Sequence, residues 1–232
     1  MVVPASNQWE NESDEADYGE QVRAYRSGVH ALYERVEVKE VQALIVALLR
    51  AFYGGNHVII MGNGGHGGTA SHWVNDLSKH TVVNDSKTSV VAGERRFKVL
   101  SLVDNVSLLT AWANDMGYEQ AFAQQLANWV QPEDVVIGIS GSGNSRNILA
   151  AFDSANACGA ITFAMAGTDG GTMKDVAQHT VLVPSWNILM VEDVHFSLTH
   201  SITASVRGRI QARAAPGSDA ESISADGLGT TK

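Results

Sequence analysis

Five short, nearly uninterrupted apolar runs punctuate the chain: 57–61 (HVIIM), 98–103 (KVLSLV), 135–139 (VVIGI), 161–165 (ITFAM) and 180–183 (TVLV), with helix-length segments between them. A strand with one face in water alternates apolar and polar side chains, whereas a strand covered on both faces does not. The runs therefore predict an α/β fold: a doubly wound, five-stranded parallel sheet with helices on both faces. Two helical segments, about 18–36 and 38–53, precede the first strand, and Leu44, Val46, Leu48 and Leu49 give the second its apolar face. A long helix over 188–213 follows the last strand and closes on Arg207, Arg209 and Arg213, charges suited to a helix C-terminus. Its apolar content exceeds what one sheet face needs, which fits subunit packing or core burial equally well.

The formal charge of -9 argues against direct binding of nucleic acid, whose affinity comes from Lys and Arg neutralising phosphates. Eight of the nine units fall at the ends: six acidic residues lie within 1–20, and 214–232 adds a net two. Both ends lack apolar periodicity, so 1–17 and 214–232 are expected to be disordered tails around one domain over 18–213. The segment 81–97 is the one long irregular connection, and the body shows no internal repeat. A single cysteine, Cys158, excludes an intrachain disulfide and a cysteine metal cluster and suits a reducing cytoplasm. No apolar run approaches membrane-spanning length, and the acidic start does not resemble a signal peptide.

Two loops stand out. The first strand runs into Gly62-Asn63-Gly64-Gly65-His66-Gly67-Gly68. Glycines let a backbone approach a ligand closely, and a following helix offers unpaired N–H groups. The spacing fits neither a dinucleotide fingerprint nor an ATP phosphate loop. The third strand runs into Ser140-Gly141-Ser142-Gly143-Asn144-Ser145, and a helix begins at Arg146. One serine suffices for an N-cap; three hydroxyls at a helix start suit a phosphate monoester. Both loops follow the carboxyl ends of strands, where open α/β sheets bind ligands.

His72 and Asp76, four apart after the glycine loop, share a helix face, a spacing that can hold a metal or set an acid beside a base. The last helix offers Glu192, Asp193, His195 and His200. At about 100° per residue Asp193 and His200 lie nearly in line and Glu192 is about 80° away, so position alone does not choose the carboxylate. His66 is read as a bystander, and His195 has no assigned role.

G-N-G-G followed by H-x-x-x-[E/D], then S-x-S-G-N-S, then E-D-x-H-x-x-x-x-H resembles the SIS (sugar isomerase) domain superfamily, in its phosphoheptose isomerase family. The likeness runs over about 20–212 and includes Asn114-Asp115 and Gly167-Thr168-Asp169-Gly170-Gly171. It implies a flavodoxin/Rossmann-like SIS fold and a cytoplasmic homotetramer with active sites between subunits. The implied reaction is aldose–ketose isomerisation of sedoheptulose 7-phosphate to a glycero-manno-heptose 7-phosphate. Asn63, Gly64, Gly65, Asn114 and Asp115 would hold the sugar, with Asp76 and Glu192 also touching it. Ser140, Gly141, Ser142 and Ser145 would hold the phosphate. Asp76 would be the general base and His200 the general acid, with zinc on His72, Asp76, Glu192 and His200. The family commonly has Glu at position 76 and Gln at 192, so Asp76 carries a shorter arm and Glu192 adds an anion. A non-catalytic phosphosugar or protein-binding SIS module, like the replication-initiator-associating relatives, and an isomerase of another sugar phosphate are the alternatives.

Overall fold

The structure, a computed structural model, describes residues 12–82 and 94–214. Helices α1 (Glu12–Tyr33) and α2 (Val38–Gly54) lead into strand β1 (His57–Gly62) and helix α3 (Gly65–His80). Strand β2 (Lys98–Ser101) is followed by α4 (Val106–Met116), a 3-10 turn (Tyr118–Gln120) and α5 (Ala121–Leu126). Then come β3 (Val135–Ser140), α6 (Arg146–Cys158), β4 (Ile161–Ala166), α7 (Met173–Val176), β5 (His179–Leu182) and α8 (Ile188–Ala214).

All five strands are parallel in the order β2-β1-β3-β4-β5. Successive residues of a strand point to opposite faces, and both faces are apolar here. Val58 and Ile60 of β1, with Val135, Ile137 and Ile139 of β3, face a core shared with α2, α3 and α8. Ile59, Met61 and Val136 face a second core built with α5 and α6. This double burial is why the strands read as continuous apolar runs. In α8, Val191, Val194, Leu198, Ile202, Val206 and Ile210 recur at helical spacing and are all buried against the first core. Leu189 and Phe196 remain exposed.

Some expectations shift. Helix α1 begins at Glu12, so the acidic tail expected through residue 17 is helical over its last six positions. Extending an existing helix backward requires no new nucleus, and weak apolar periodicity does not prevent it. The remainder of the two expected tails, 1–11 and 215–232, and residues 83–93 of the irregular connection lie outside the described residues. Strand β2 ends at Ser101, two residues before its expected end, while β1 and β3 each gain one residue, Gly62 and Ser140, at the edge where the loops begin.

Strand order reverses between β1, whose crossover leads to β2 on one side, and β3, which continues to β4 and β5 on the other. This is a topological switch point, where the strand ends leave a crevice. Gly62 pairs in register with Ile139, so the glycine and serine loops leave the sheet side by side. At the opposite end, the buried Asp134 carboxylate accepts from the His57 backbone N–H at 2.7 Å and the Gln131 N–H at 2.8 Å, tying β1 to the start of β3.

Gly138 lets α6 sit close on β3. A Cβ there would fall 2.5 Å from Ile148 Cγ2 and 2.8 Å from Phe152 Cζ. Overpacking of this kind costs about 1–3 kcal/mol. Gly138→Ala is expected to lose that much stability in urea unfolding at an unchanged m-value; a variant as stable as the parent would contradict the close packing.

Candidate active site

The glycine loop is shaped by backbone needs. Gly64, at the N-cap of α3, has φ +55 and ψ -124, a conformation that side chains disfavour. At Gly65, a Cβ would lie 2.6 Å from both carboxylate oxygens of Glu192. The Asn63 side chain is held from two sides. Its Oδ1 accepts from Tyr118 Oη at 2.7 Å and from Asn147 Nδ2 at 2.9 Å, while its Nδ2 donates to Asn147 Oδ1 at 3.0 Å. Tyr118 and the buried Asn147 are site residues that sequence reasoning missed. Asn147 opens α6 immediately after the serine motif, which was the available signal; nothing local marks Tyr118. Asn114 and Asp115, expected to join the sugar site, lie exposed at the end of α4, Asn114 Nδ2 donating to Asp115 Oδ1 at 2.9 Å. Tyr118, three residues on, is what reaches the glycine loop.

The serine loop brings its hydroxyls together. Ser140 Oγ lies 2.9 Å from Ser145 Oγ and 3.5 Å from Ser142 Oγ, and Gly143 N–H donates to Ser140 Oγ at 3.2 Å. Ser145 is the N-cap of α6, yet its hydroxyl makes no capping bond, which leaves the helix start and the hydroxyls facing the same loop. Gly143 has φ +65, and a Cβ there would sit 2.0 Å from the Gly170 carbonyl oxygen. The turn Gly167–Gly171 thus packs directly under the serine loop, with Asn144 Oδ1 accepting from Thr172 N at 2.9 Å.

The third group lies between α3 and α8. Trp73 Nε1 donates to Thr203 Oγ1 at 3.1 Å, both buried, and this contact locks the helices together one step beyond His72 and His200. Asp76 is buried. Its Oδ2 lies 3.3 Å from His72 Nε2 and 3.5 Å from His200 Nε2, and those two nitrogens are 3.0 Å apart. Its Oδ1 accepts from Asn75 Nδ2 at 3.2 Å and lies 3.7 Å from His80 Nε2. Phe196 packs against both His72 and His200, with ring centroids 4.7 and 4.9 Å away. The cleft opens onto Arg207 and Gln211. His80 was missed by sequence reasoning, although its spacing of four beyond Asp76 was visible. A larger groove between α1 and α8, lined by Arg23, Tyr25 and Asp193, includes no residue of either loop.

The donor set suits a zinc-like ion. Ligands about 2.0–2.1 Å from a common tetrahedral centre stand about 3.3 Å apart, and the observed separations are 3.0, 3.3 and 3.5 Å. Within one chain Glu192, the fourth member of the expected metal set, does not reach this group. It sits eight positions before His200 on α8, about 12 Å of helix rise, and its carboxylate rests on Gly65 and near His66. Asp193 instead accepts from Tyr25 Oη at 2.8 Å.

His66 is no bystander. It is buried, and its Nε2 lies 3.0 Å from Nδ1 of His195, which has no exposed surface. Burial lowers His66 to about 4. Burial, then the neighbouring His66, lowers His195 to about 3, against a smaller opposing pull from the Ala166 carbonyl. Both rings are therefore neutral at pH 7. Below about 6.5 the unfolded chain takes up protons that the folded one refuses, so stability falls with pH, by up to about 1.4 kcal/mol per unit for each histidine until its folded value is reached. Urea unfolding at pH 6.5 and 4.5 should show a smaller loss for His66→Gln than for the parent; equal losses would contradict a neutral buried ring.

The SIS domain profile matches residues 24–167. The probable phosphoheptose isomerase of Thermoplasma acidophilum is 32% identical over 171 residues, covering 74% of this chain and 89% of that protein. The phosphoheptose isomerase of Geobacter metallireducens is 33% identical over 182 residues, 78% of this chain and 91% of the other. In fold, the phosphoheptose isomerase GmhA from Neisseria gonorrhoeae matches with a TM-score of 0.71 at 24% identity, over 82% of this chain and 99% of that one. The chain belongs to the SIS domain superfamily, in its phosphoheptose isomerase family.

Proposed function

We propose that the protein isomerises sedoheptulose 7-phosphate to a glycero-manno-heptose 7-phosphate, with Asp76 as base and His200 as acid. The observation that carries the assignment of roles is a buried carboxylate whose Oδ2 lies 3.5 Å from a histidine nitrogen at the edge of an open cleft. It occurs in a chain that also carries a three-hydroxyl loop at a helix start. An aldose–ketose shift needs a base on carbon and an acid serving the oxygens. Asp76 removes a proton from C1 of the ketose as His200 protonates O2, giving a 1,2-enediol. The O1 proton then passes to His200, restoring it, as Asp76 returns its proton to C2, leaving the aldehyde at C1. Asn75 and His80 occupy the Oδ1 side of Asp76, which keeps Oδ2 toward the cleft.

In a metal-bound form His72, Asp76 and His200 would hold a zinc ion, which would polarise an oxygen next to the reacting carbon, while the carboxylate oxygen and ring nitrogen it leaves free would carry the proton transfers. Ser140, Gly141, Ser142 and Ser145 would hold the remote phosphate, and Asn63, Gly64 and Gly65 the sugar hydroxyls. Anchoring the phosphate orients the reacting end.

The two halves are far apart within one chain. Asp76 stands eleven positions beyond Gly65 on α3, about 16 Å of helix rise, whereas a seven-carbon chain with bonds near 1.5 Å spans on the order of 9 Å. A second copy that brings its own Asp76 and His200 to the serine loop closes the gap. We therefore read the active assembly as a homo-oligomer, a tetramer by family likeness, with shared sites. No helix among the described residues is long and apolar enough to cross a membrane, which is compatible with a cytoplasmic enzyme.

An NMR time course with sedoheptulose 7-phosphate should show aldose phosphate forming. Asp76→Asn and His200→Ala should each lower turnover by about 100-fold or more, and chelation should reduce it until zinc is restored. No turnover by the metal-supplied parent would sink the assignment; preference for a pentose or hexose phosphate would redirect it. Mixing Asp76→Asn subunits with Ser145→Ala subunits should recover activity that neither parent pool has, because some shared sites then carry no substitution. Absence of recovery in verified mixed oligomers would place each site within one chain.

A further inference from the structure

We propose that His66 is a positioning residue of the sugar site, aiming the Glu192 carboxylate at the mouth of the glycine loop, where it accepts hydrogen bonds from sugar hydroxyls. The proposal rests on the phosphosugar reading above and adds to it a device built from the His66–His195 pair.

The carboxylate of Glu192 lies directly over the loop, with both oxygens 2.6 Å from where a Gly65 Cβ would stand. It is about one-third exposed, so one side meets solvent and the other meets protein. On the protein side stands His66 Nδ1, 3.8 Å from Glu192 Oε1. That distance is an electrostatic contact and too long for a hydrogen bond. His66 in turn is gripped by His195 at 3.0 Å, and its Cε1 lies 3.2 Å from where a Gly141 Cβ would stand. One imidazole therefore touches α8, the glycine loop and the serine loop together.

Counting protons orients the pair. Two neutral imidazoles carry two N–H groups, and the bond between the rings uses one. The other faces either the Glu192 carboxylate or the far end of His195. His195 feels the Ala166 carbonyl, but its buried Nε2 makes no hydrogen bond of normal geometry, and an ionised carboxylate attracts an N–H more strongly than that neutral carbonyl does. The second proton belongs on His66 Nδ1, facing Glu192, with His195 Nδ1–H donating to His66 Nε2. An apolar pair of similar volume would fill this space without an unpartnered buried nitrogen, whose desolvation costs about 1–3 kcal/mol. Packing alone does not account for two histidines here; orientation of the carboxylate does.

The test is binding of sedoheptulose 7-phosphate by calorimetry to the full chain and its variants, with inorganic phosphate as a probe of the serine loop. His66→Phe keeps ring volume but loses the donor. His66→Asn places an amide nitrogen near the Nδ1 position, and His66→Gln reaches only toward His195. Phe and Gln variants should weaken heptulose phosphate binding by about tenfold and Asn by about threefold or less, with phosphate affinity unchanged in all three. Glu192→Ala should weaken binding similarly, and the double variant His66→Phe, Glu192→Ala should be no weaker than Glu192→Ala alone, because both remove one interaction. Multiplicative losses, or equal losses in the Asn and Phe variants, would overturn the positioning role while leaving the isomerase reading intact. A parent that binds phosphate but no heptulose phosphate would overturn both.

Discussion

The site depends first on the pairing of β1 with β3. Their register sets Gly62 beside Ile139, so two loops separated by more than seventy residues leave the sheet as neighbours. Because strand order reverses between these strands, no crossover covers the space above them. The buried Asp134 carboxylate holds the same two strands at their opposite end. Everything that follows at the carboxyl edge, including the Asn63–Asn147 amide pair and the contact of His66 with Gly141, presupposes that register.

Helix α3 then carries two kinds of chemistry at two depths. Its first turn belongs to the loop crevice, and its middle belongs to a cleft against α8 where His72, Asp76 and His200 meet. The buried Trp73–Thr203 contact makes this second meeting possible. Helix rise keeps the two sets apart, and that separation is the physical reason for proposing that copies share a site.

Charge is placed to suit an anion. The overall -9 is concentrated at the chain ends, leaving a body near neutrality, so helix-start N–H groups and hydroxyls need not oppose a strong repulsive field. Within that body the titratable groups fall into two environments. His72, His80 and His200 are partly exposed around a buried carboxylate, whereas His66 and His195 are buried and neutral, which makes them directional hydrogen-bonding groups instead of charges.

By itself the sequence determined the sheet, its parallel direction, the long final helix and the glycine and serine loops at the carboxyl edge. Those features are written locally: double burial makes a strand apolar throughout, and backbone approach calls for Gly64, Gly65 and Gly143. It also marked His72 with Asp76, since a spacing of four fixes a shared helix face. Partners across elements were decided only by the tertiary structure. Glu192, Asp193 and His200 were comparable candidates on one helix, yet α3 takes His200, the glycine loop takes Glu192 and α1 takes Asp193. Tyr118 reaches Asn63 from a turn with no motif of its own, and His66 acquires its role from the burial of His195 more than a hundred residues away. Helical spacing dictates the direction in which a side chain leaves its own helix. What it meets depends on how the helices and sheet pack, and that is a property of the whole chain.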